Sequence, residues 1–253
     1  MPDIPRLGDV VIARRLHADR SVVVASGNFS DLLQSYREHV RIWGPEPDGL
    51  TDTMARQGLA ATALHLTGRP RDESVGITMN IRTPPINVFL AGAADGSVIG
   101  RVFTENVKTA DASRFFLQSV RPGTQPTLSA IEVRGLDVLG IFEQYYEQSL
   151  QYPARFYELG DDRFLMVQGL PGVDREWVRA LDCEQAWGLT NGDGLALDER
   201  RFRFHCGCNP QKILEALRGI FASNPDDLFR GEEQVETFCP RCGRRWWIRR
   251  ESF

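Results

Sequence analysis

At 253 residues the chain has room for one large domain or for a medium domain joined to a small module. Its composition, 42% hydrophobic and 25% charged, is that of a globular protein with enough apolar side chains to fill a core, which excludes a disordered or fibrous chain. A net charge of -4 argues against a surface that attracts nucleic acid or anionic lipid as a whole.

No run approaches the roughly 20 apolar residues of a membrane helix. Val10-Val11-Ile12-Ala13 is too short for the core of a signal peptide, so the expected location is cytoplasmic. Leu32, Leu33, Tyr36, Val40 and Trp43 recur at helical spacing and predict an amphipathic helix over Asp31 to Trp43. A second helix is predicted from about Leu50 to Leu66, stopping at Gly68 and Pro70. Strands are predicted at Gly76 to Ile81, Ile86 to Ala91 and Val98 to Phe103, the last two joined by the Asp95-Gly96 turn.

Leu128 to Val133 reads as a further strand. A helix then starts at Gly135 or Asp137, runs through Leu139, Phe142, Tyr145, Tyr146 and Ser149, and ends before Pro153. A hairpin of Arg155 to Leu159 and Arg163 to Gln168 turns at Gly160-Asp161-Asp162. Beyond Pro171-Gly172 the pattern weakens into a charged, helix-like piece, Asp174 to Ala186, and a turn-rich stretch at Thr190 to Gly194, which read together as a linker.

Four of the five cysteines form two close pairs, Cys206-Gly207-Cys208 and Cys239-Pro240-Arg241-Cys242, and Cys183 stands alone in the linker. Five cysteines are too few for a disulfide scaffold, and two paired turns suit a closed four-thiolate zinc site with one ion per chain. Gly207, Pro240 and Gly243 let two sulfurs of one short turn point the same way. Between the pairs, Asn209 caps a helix, Pro210 takes its first position, and Ile213, Leu214, Leu217, Ile220 and Phe221 make its apolar stripe. Val235 to Phe238 and Trp246 to Ile248 are the expected strands of a hairpin around the second pair. So small a module has little core of its own, so metal binding is expected to supply most of its folding free energy.

Two other readings of this region stay open. The basic, aromatic stretch Arg244-Arg245-Trp246-Trp247-Ile248-Arg249-Arg250 suits an ordinary strand with Trp and Ile packed on the module and arginines facing water, or base stacking and phosphate neutralisation in a zinc-ribbon nucleic-acid-binding protein. The acidic residues Asp226, Asp227, Glu232, Glu233 and Glu236 weigh against it, and nucleic acid is the disfavoured partner. A structural zinc protein with an unrelated partner is the third reading. Catalysis has no signature: there is no Gly-rich phosphate loop and no nucleophile elbow, and His17, His39, His65 and His205 lie far apart and read as surface or core residues.

The paired cysteines and their spacer resemble the heat-shock protein 33 family of redox-regulated holdase chaperones. Gln211 to Leu217 is similar to the family's helix after the first pair, and Gly231-Glu232-Glu233 to its approach to the second. Ile141 to Ser149, with Gln151 and Pro153, resembles the family's paired-aromatic helix end, and Val167 to Pro171 its closing strand. A weaker likeness runs from about Asp19 to Phe103, so the resemblance covers nearly the whole chain.

What it implies is an α+β protein: an N-terminal mixed α/β domain with an antiparallel sheet over residues 1–172, a linker over 173–203, and a zinc module over 204–253. It also implies zinc held by Cys206, Cys208, Cys239 and Cys242 when reduced. Oxidants would close Cys206 with Cys208 and Cys239 with Cys242, release the ion, and unfold the module and linker. The exposed apolar surface would then bind unfolding client proteins without ATP, with dimerisation on activation left open. The chain departs from the family pattern in a linker shorter than usual between Pro171 and Cys206, in Leu150 at a usually acidic position, and in Thr83-Pro84-Pro85 in place of a glycine-rich turn. The short linker leads to the expectation that oxidation exposes less apolar area than in long-linker relatives.

Overall fold

A computed structural model describes residues 8–45, 47–108 and 110–253. Two strands, β1 (Val10–His17) and β2 (Val22–Asn28), open the chain, followed by α1 (Ser30–Trp43) and α2 (Gly49–Thr67). Five strands follow: β3 (Ser74–Ile81), β4 (Ile86–Gly92), β5 (Ser97–Phe103), β6 (Arg114–Val120) and β7 (Thr127–Glu132). Helix α3 (Val138–Tyr145) passes into a wide turn, Tyr146–Leu150, and the hairpin β8 (Ala154–Leu159) and β9 (Arg163–Gly169) comes next. The remaining elements are α4 (Arg175–Ala180), α5 (Cys183–Gly188), β10 (Leu195–Phe204), α6 (Pro210–Phe221), α7 (Pro225–Phe229), β11 (Gln234–Phe238) and β12 (Arg245–Arg249).

Ten strands form one sheet in the order β7-β6-β3-β4-β5-β10-β1-β2-β9-β8, and β11 and β12 make a separate hairpin. The pairs are antiparallel apart from β10 with β5, which meet in parallel only at Arg203↔Ser97 and Phe204↔Val98. The sheet is thus two five-stranded halves joined by β10. Along each strand alternate side chains point to opposite faces. One face, with Ile77, Val88, Leu90, Phe115 and Phe202, is covered by α1, α2 and α3. Helix α2 lies so close to the sheet that a Cβ on Gly58 would come within 2.8 Å of the Leu90 side chain.

The other face is covered in two places. Val178, Leu181 and Ala186 of α4, α5 and the residues between them pack on Val22, Val24, Tyr157, Leu165 and Val167. On the other half, Ala91 and Ile99 are buried under Ile213, Leu214, Phe229, Trp246 and Ile248 of the cysteine module.

The helix expected over Asp174 to Ala186 is two helices. Leu181 is extended, and Asp182 makes a capping box with Gln185, its carboxylate accepting the Gln185 backbone N–H and its own backbone N–H donating to the Gln185 side-chain oxygen, so a new helix starts where the first would have continued. The helix expected to reach Ser149 ends its regular α turns at Tyr145, and Gln151 turns left-handed (φ 63°) ahead of Pro153. Strands β1, β2, β6 and β10 were not predicted. The span 173–203 read as linker holds α4, α5 and nearly all of β10, which is seated in the middle of the sheet. The stripe of α6 is narrower than expected: Ile213 and Leu214 are buried, but Ile220 is 71% exposed. The module also has more to pack on than its own side chains, because the sheet supplies Ala91 and Ile99.

Candidate metal centre

Strand β10 delivers the first cysteine pair. Its last bonds are Arg203 N–H to the Gly96 carbonyl (2.9 Å) and His205 N–H to the Val98 carbonyl (3.0 Å), so Cys206 leaves the sheet from a fixed point. Gly207 then takes φ +67°, a conformation that favours glycine, and lets the chain reverse between the two cysteines. Asn209 caps α6 by accepting the Lys212 N–H (2.9 Å), and the Lys212 ammonium donates to the Gly207 carbonyl (3.0 Å), which ties the turn to the helix.

The second pair lies in the turn between β11 and β12. Gly243 N–H donates to the Cys239 carbonyl (2.8 Å) and Cys239 N–H to the Arg244 carbonyl (2.9 Å). Gly243 has φ +78°, and a Cβ there would lie 3.3 Å from both the Trp43 carbonyl oxygen and the Arg101 guanidinium.

All four sulfurs lie within 4.8 Å of one another. Cys206 Sγ to Cys239 Sγ and Cys208 Sγ to Cys242 Sγ are both 3.7 Å. Four thiolates at about 2.3 Å from one ion would stand about 3.8 Å apart, so the observed spacing fits a shared ion. Among the described residues this is the one group of three or more His, Cys, Asp or Glu side chains placed to hold a metal. Cys239 and Cys242 are buried and Cys206 and Cys208 half-buried, so the first pair faces solvent.

The thiols share protons unequally. Hydrogen bonds from Cys206, Cys208 and Cys242 hold Cys239 far below the ordinary thiol range, and bonding from Cys206 brings Cys208 down to about 7. Bonds to Cys208 and Cys239 push Cys206 up, and bonds to Cys206, Cys208 and Cys239 push Cys242 up. Thiolate is the form that binds metal.

Cys183 is exposed at the start of α5 and is not part of the cluster. His205 is exposed beside Cys206. The other histidines are structural: His17 Nε2 bonds the Leu189 carbonyl (2.9 Å), and His65 Nδ1 bonds the Tyr146 hydroxyl (2.9 Å). His39 Nε2 donates to the Cys242 carbonyl at 2.8 Å, and burial holds its imidazole below its ordinary pKa. This contact, and the packing of Phe204 on α1, were not anticipated; the available signal was the spacing of His39 from Tyr36 and the Arg-Phe alternation at the end of β10. On the hairpin, Trp246 and Ile248 pack inward, while Trp247 is 57% exposed beside Arg245 and Arg249.

The Hsp33 protein family model matches residues 14–249. The crystal structure of the Thermotoga maritima 33 kDa chaperonin, a heat shock protein 33 homolog, superposes with a TM-score of 0.72 over 96% of this chain and 95% of that one. At 15% identity this likeness concerns the fold. The 33 kDa chaperonin of Acholeplasma laidlawii (strain PG-8A) is 26% identical over 58 residues, 23% of this chain and 20% of that protein, so the match spans about a fifth of the relative's length. With a family model that covers the sheet, the helices and both cysteine pairs, this chain belongs to the Hsp33 family.

Proposed function

We propose that the chain is a cytoplasmic, non-enzymatic, ATP-independent holdase whose cysteine cluster holds one zinc ion when reduced and responds to oxidants. The observation that carries this reading is the convergence of four soft sulfur donors with no other ligand type, which closes the coordination shell and suits zinc in a structural role. In this reading residues 1–172 form the client-facing domain, 173–203 the connection, and 204–253 the sensor.

When bound, zinc would keep all four thiolates deprotonated and contribute folding free energy to the module. The thiolates do the redox work. One sulfur of a pair attacks the peroxide O–O bond and becomes a sulfenic acid. Its neighbour displaces the hydroxyl, so that each pair of thiolates gives up two electrons to one peroxide, which with two protons leaves one disulfide and two waters. Cys206 closing on Cys208 and Cys239 on Cys242 leaves no sulfur to hold the ion. The module then loses its main support, and apolar surface becomes available to unfolding chains.

The test is light scattering of a denatured client diluted into reduced or oxidised protein, with and without ATP. The reading expects suppression after oxidation, unchanged by nucleotide. Nucleotide-dependent refolding, or no suppression in either state, would overturn it.

The exposed pair Phe238 and Trp247, flanked by Arg245 and Arg249, favours a second reading as a nucleic-acid-binding hairpin. That function would show binding to single-stranded RNA by the reduced protein, weakening steeply with salt.

A further inference from the structure

We propose that one stripe of α1, formed by Tyr36, His39 and Trp43, is a seat for both cysteine pairs, so that metal retention and docking of the module on the first domain are a single coupled equilibrium. The proposal rests on the cysteines holding an ion and adds that the ion's hold depends on residues far from the cysteines in sequence. Residues spaced by three and four or seven positions share one side of a helix. Here Tyr36 and His39 stand edge-on to Phe204, with ring centroids 5.8 and 5.4 Å away. Phe204 is the last residue of β10, two before Cys206, so this packing fixes the approach to the first pair.

The same His39 donates through Nε2 to the Cys242 carbonyl at 2.8 Å in a buried position. One side chain of α1 therefore bears on both halves of the site. A turn further on, the Trp43 ring faces the Arg244 guanidinium (5.8 Å), which also lies over Trp246 (4.8 Å).

Charge acts in the same direction. Arg101 of β5 stacks on Phe103 (4.6 Å) with its guanidinium against Gly243. Among the described residues neither Arg101 nor Arg244 is in an ion pair with a carboxylate. Four thiolates around a divalent cation carry a net charge of minus two, and these two arginines stand beside the turn that bears it. Losing the ion changes the charge they face, and undocking leaves the Cys242 carbonyl without its donor. By linkage, the factor by which docking tightens metal binding is the factor by which the bound metal favours docking.

His39 and Arg101 are positioning residues, and full-length reduced protein tests them by zinc competition with a chromophoric chelator. His39→Leu keeps an apolar side chain against Phe204 but removes the donor, and is expected to weaken zinc binding about tenfold, the lower end for partners that orient metal ligands. His39→Gln restores an N–H donor and should recover most of that loss. Arg101→Gln should also weaken binding, by a factor that shrinks in high salt.

Hydrogen exchange on the wild type, zinc-loaded and chelated, makes the test independent of whether a variant folds: residues 39–44 should lose protection together with 239–244. Unchanged affinity in the folded variants, or an α1 end whose exchange ignores zinc, overturns the coupling. A wild type that carries no zinc overturns the metal reading instead.

Discussion

Burial ranks the four sulfurs. Cys239 is 2% exposed and closes the hydrogen bonds of its own turn, so it sits nearest the centre of the module. Cys239→Ser is expected to abolish zinc binding and unfold residues 204–253, seen as loss of Trp fluorescence structure and of zinc by metal analysis, whereas Cys183→Ser leaves zinc content unchanged. Away from the site, His65 is 1% exposed, and burial holds its imidazole down to about 3 from an ordinary 6.5. A histidine buried neutral is protonated more readily in the unfolded chain, so its contribution is intact above 6.5 and is lost as pH falls toward 3. Each unit within that window costs up to about 1.4 kcal/mol, or roughly 2 kcal/mol between pH 7 and pH 5. Urea midpoints of the wild type should fall accordingly, and those of His65→Gln should fall less. In the sequence His65 was one of four scattered histidines, and only the fold shows that it is sealed under Tyr146 and Phe142.

The element that changes the picture most is β10. Its sequence, Leu-Ala-Leu-Asp-Glu-Arg-Arg-Phe-Arg-Phe, is charged enough to pass for a connection. Three of its side chains on one face, Arg200, Phe202 and Phe204, nevertheless turn into the core layer. Arg200 is buried with its guanidinium donating to the Leu66 carbonyl and, at 3.2 Å, to the Arg69 carbonyl, at the end of α2 where the Leu66 carbonyl also accepts the Arg69 N–H (3.1 Å). Arg200→Met should remove both guanidinium bonds, leave the Leu66 carbonyl with only its backbone donor, and cost about 1–3 kcal/mol in urea unfolding.

The strongly periodic elements, α1, α2 and the β3–β4–β5 run, were legible because their apolar spacing is set by their own packing. Strand β10 was not, since its inward residue is an arginine whose partner lies more than 130 positions away. The short α4 and α5 are held by specific bonds: Arg175 and Arg179 to Glu147, and Tyr157 Oη to the Leu181 carbonyl (2.7 Å). With β10 seated between β1 and β5, hydrogen exchange of the oxidised chain is expected to leave 174–204 nearly as protected as in the reduced chain, while residues after Cys206 lose protection. Equal loss across both spans would restore an unfolding linker.

At the scale of the whole molecule, the sheet is one platform with three coverings: the α1–α3 layer on one face, and α4–α5 and the cysteine module on separate halves of the other. The cysteine pairs and their helix and hairpin were readable from spacing alone. Their docking on Ala91, Ile99 and α1 was not, because those contacts join parts of the chain that no local pattern connects. In this account, displacing the module uncovers half of one sheet face, so activation depends on the module more than on the connection.

Titration of the reduced protein with peroxide, following zinc release, free thiols and suppression of client aggregation on the same samples, tests this most directly. One zinc per chain is expected at the start, with four thiols consumed for each zinc released, Cys183 left free, and suppression that rises in step with release. A reduced protein without zinc, or zinc release that leaves aggregation unchanged, would contradict it.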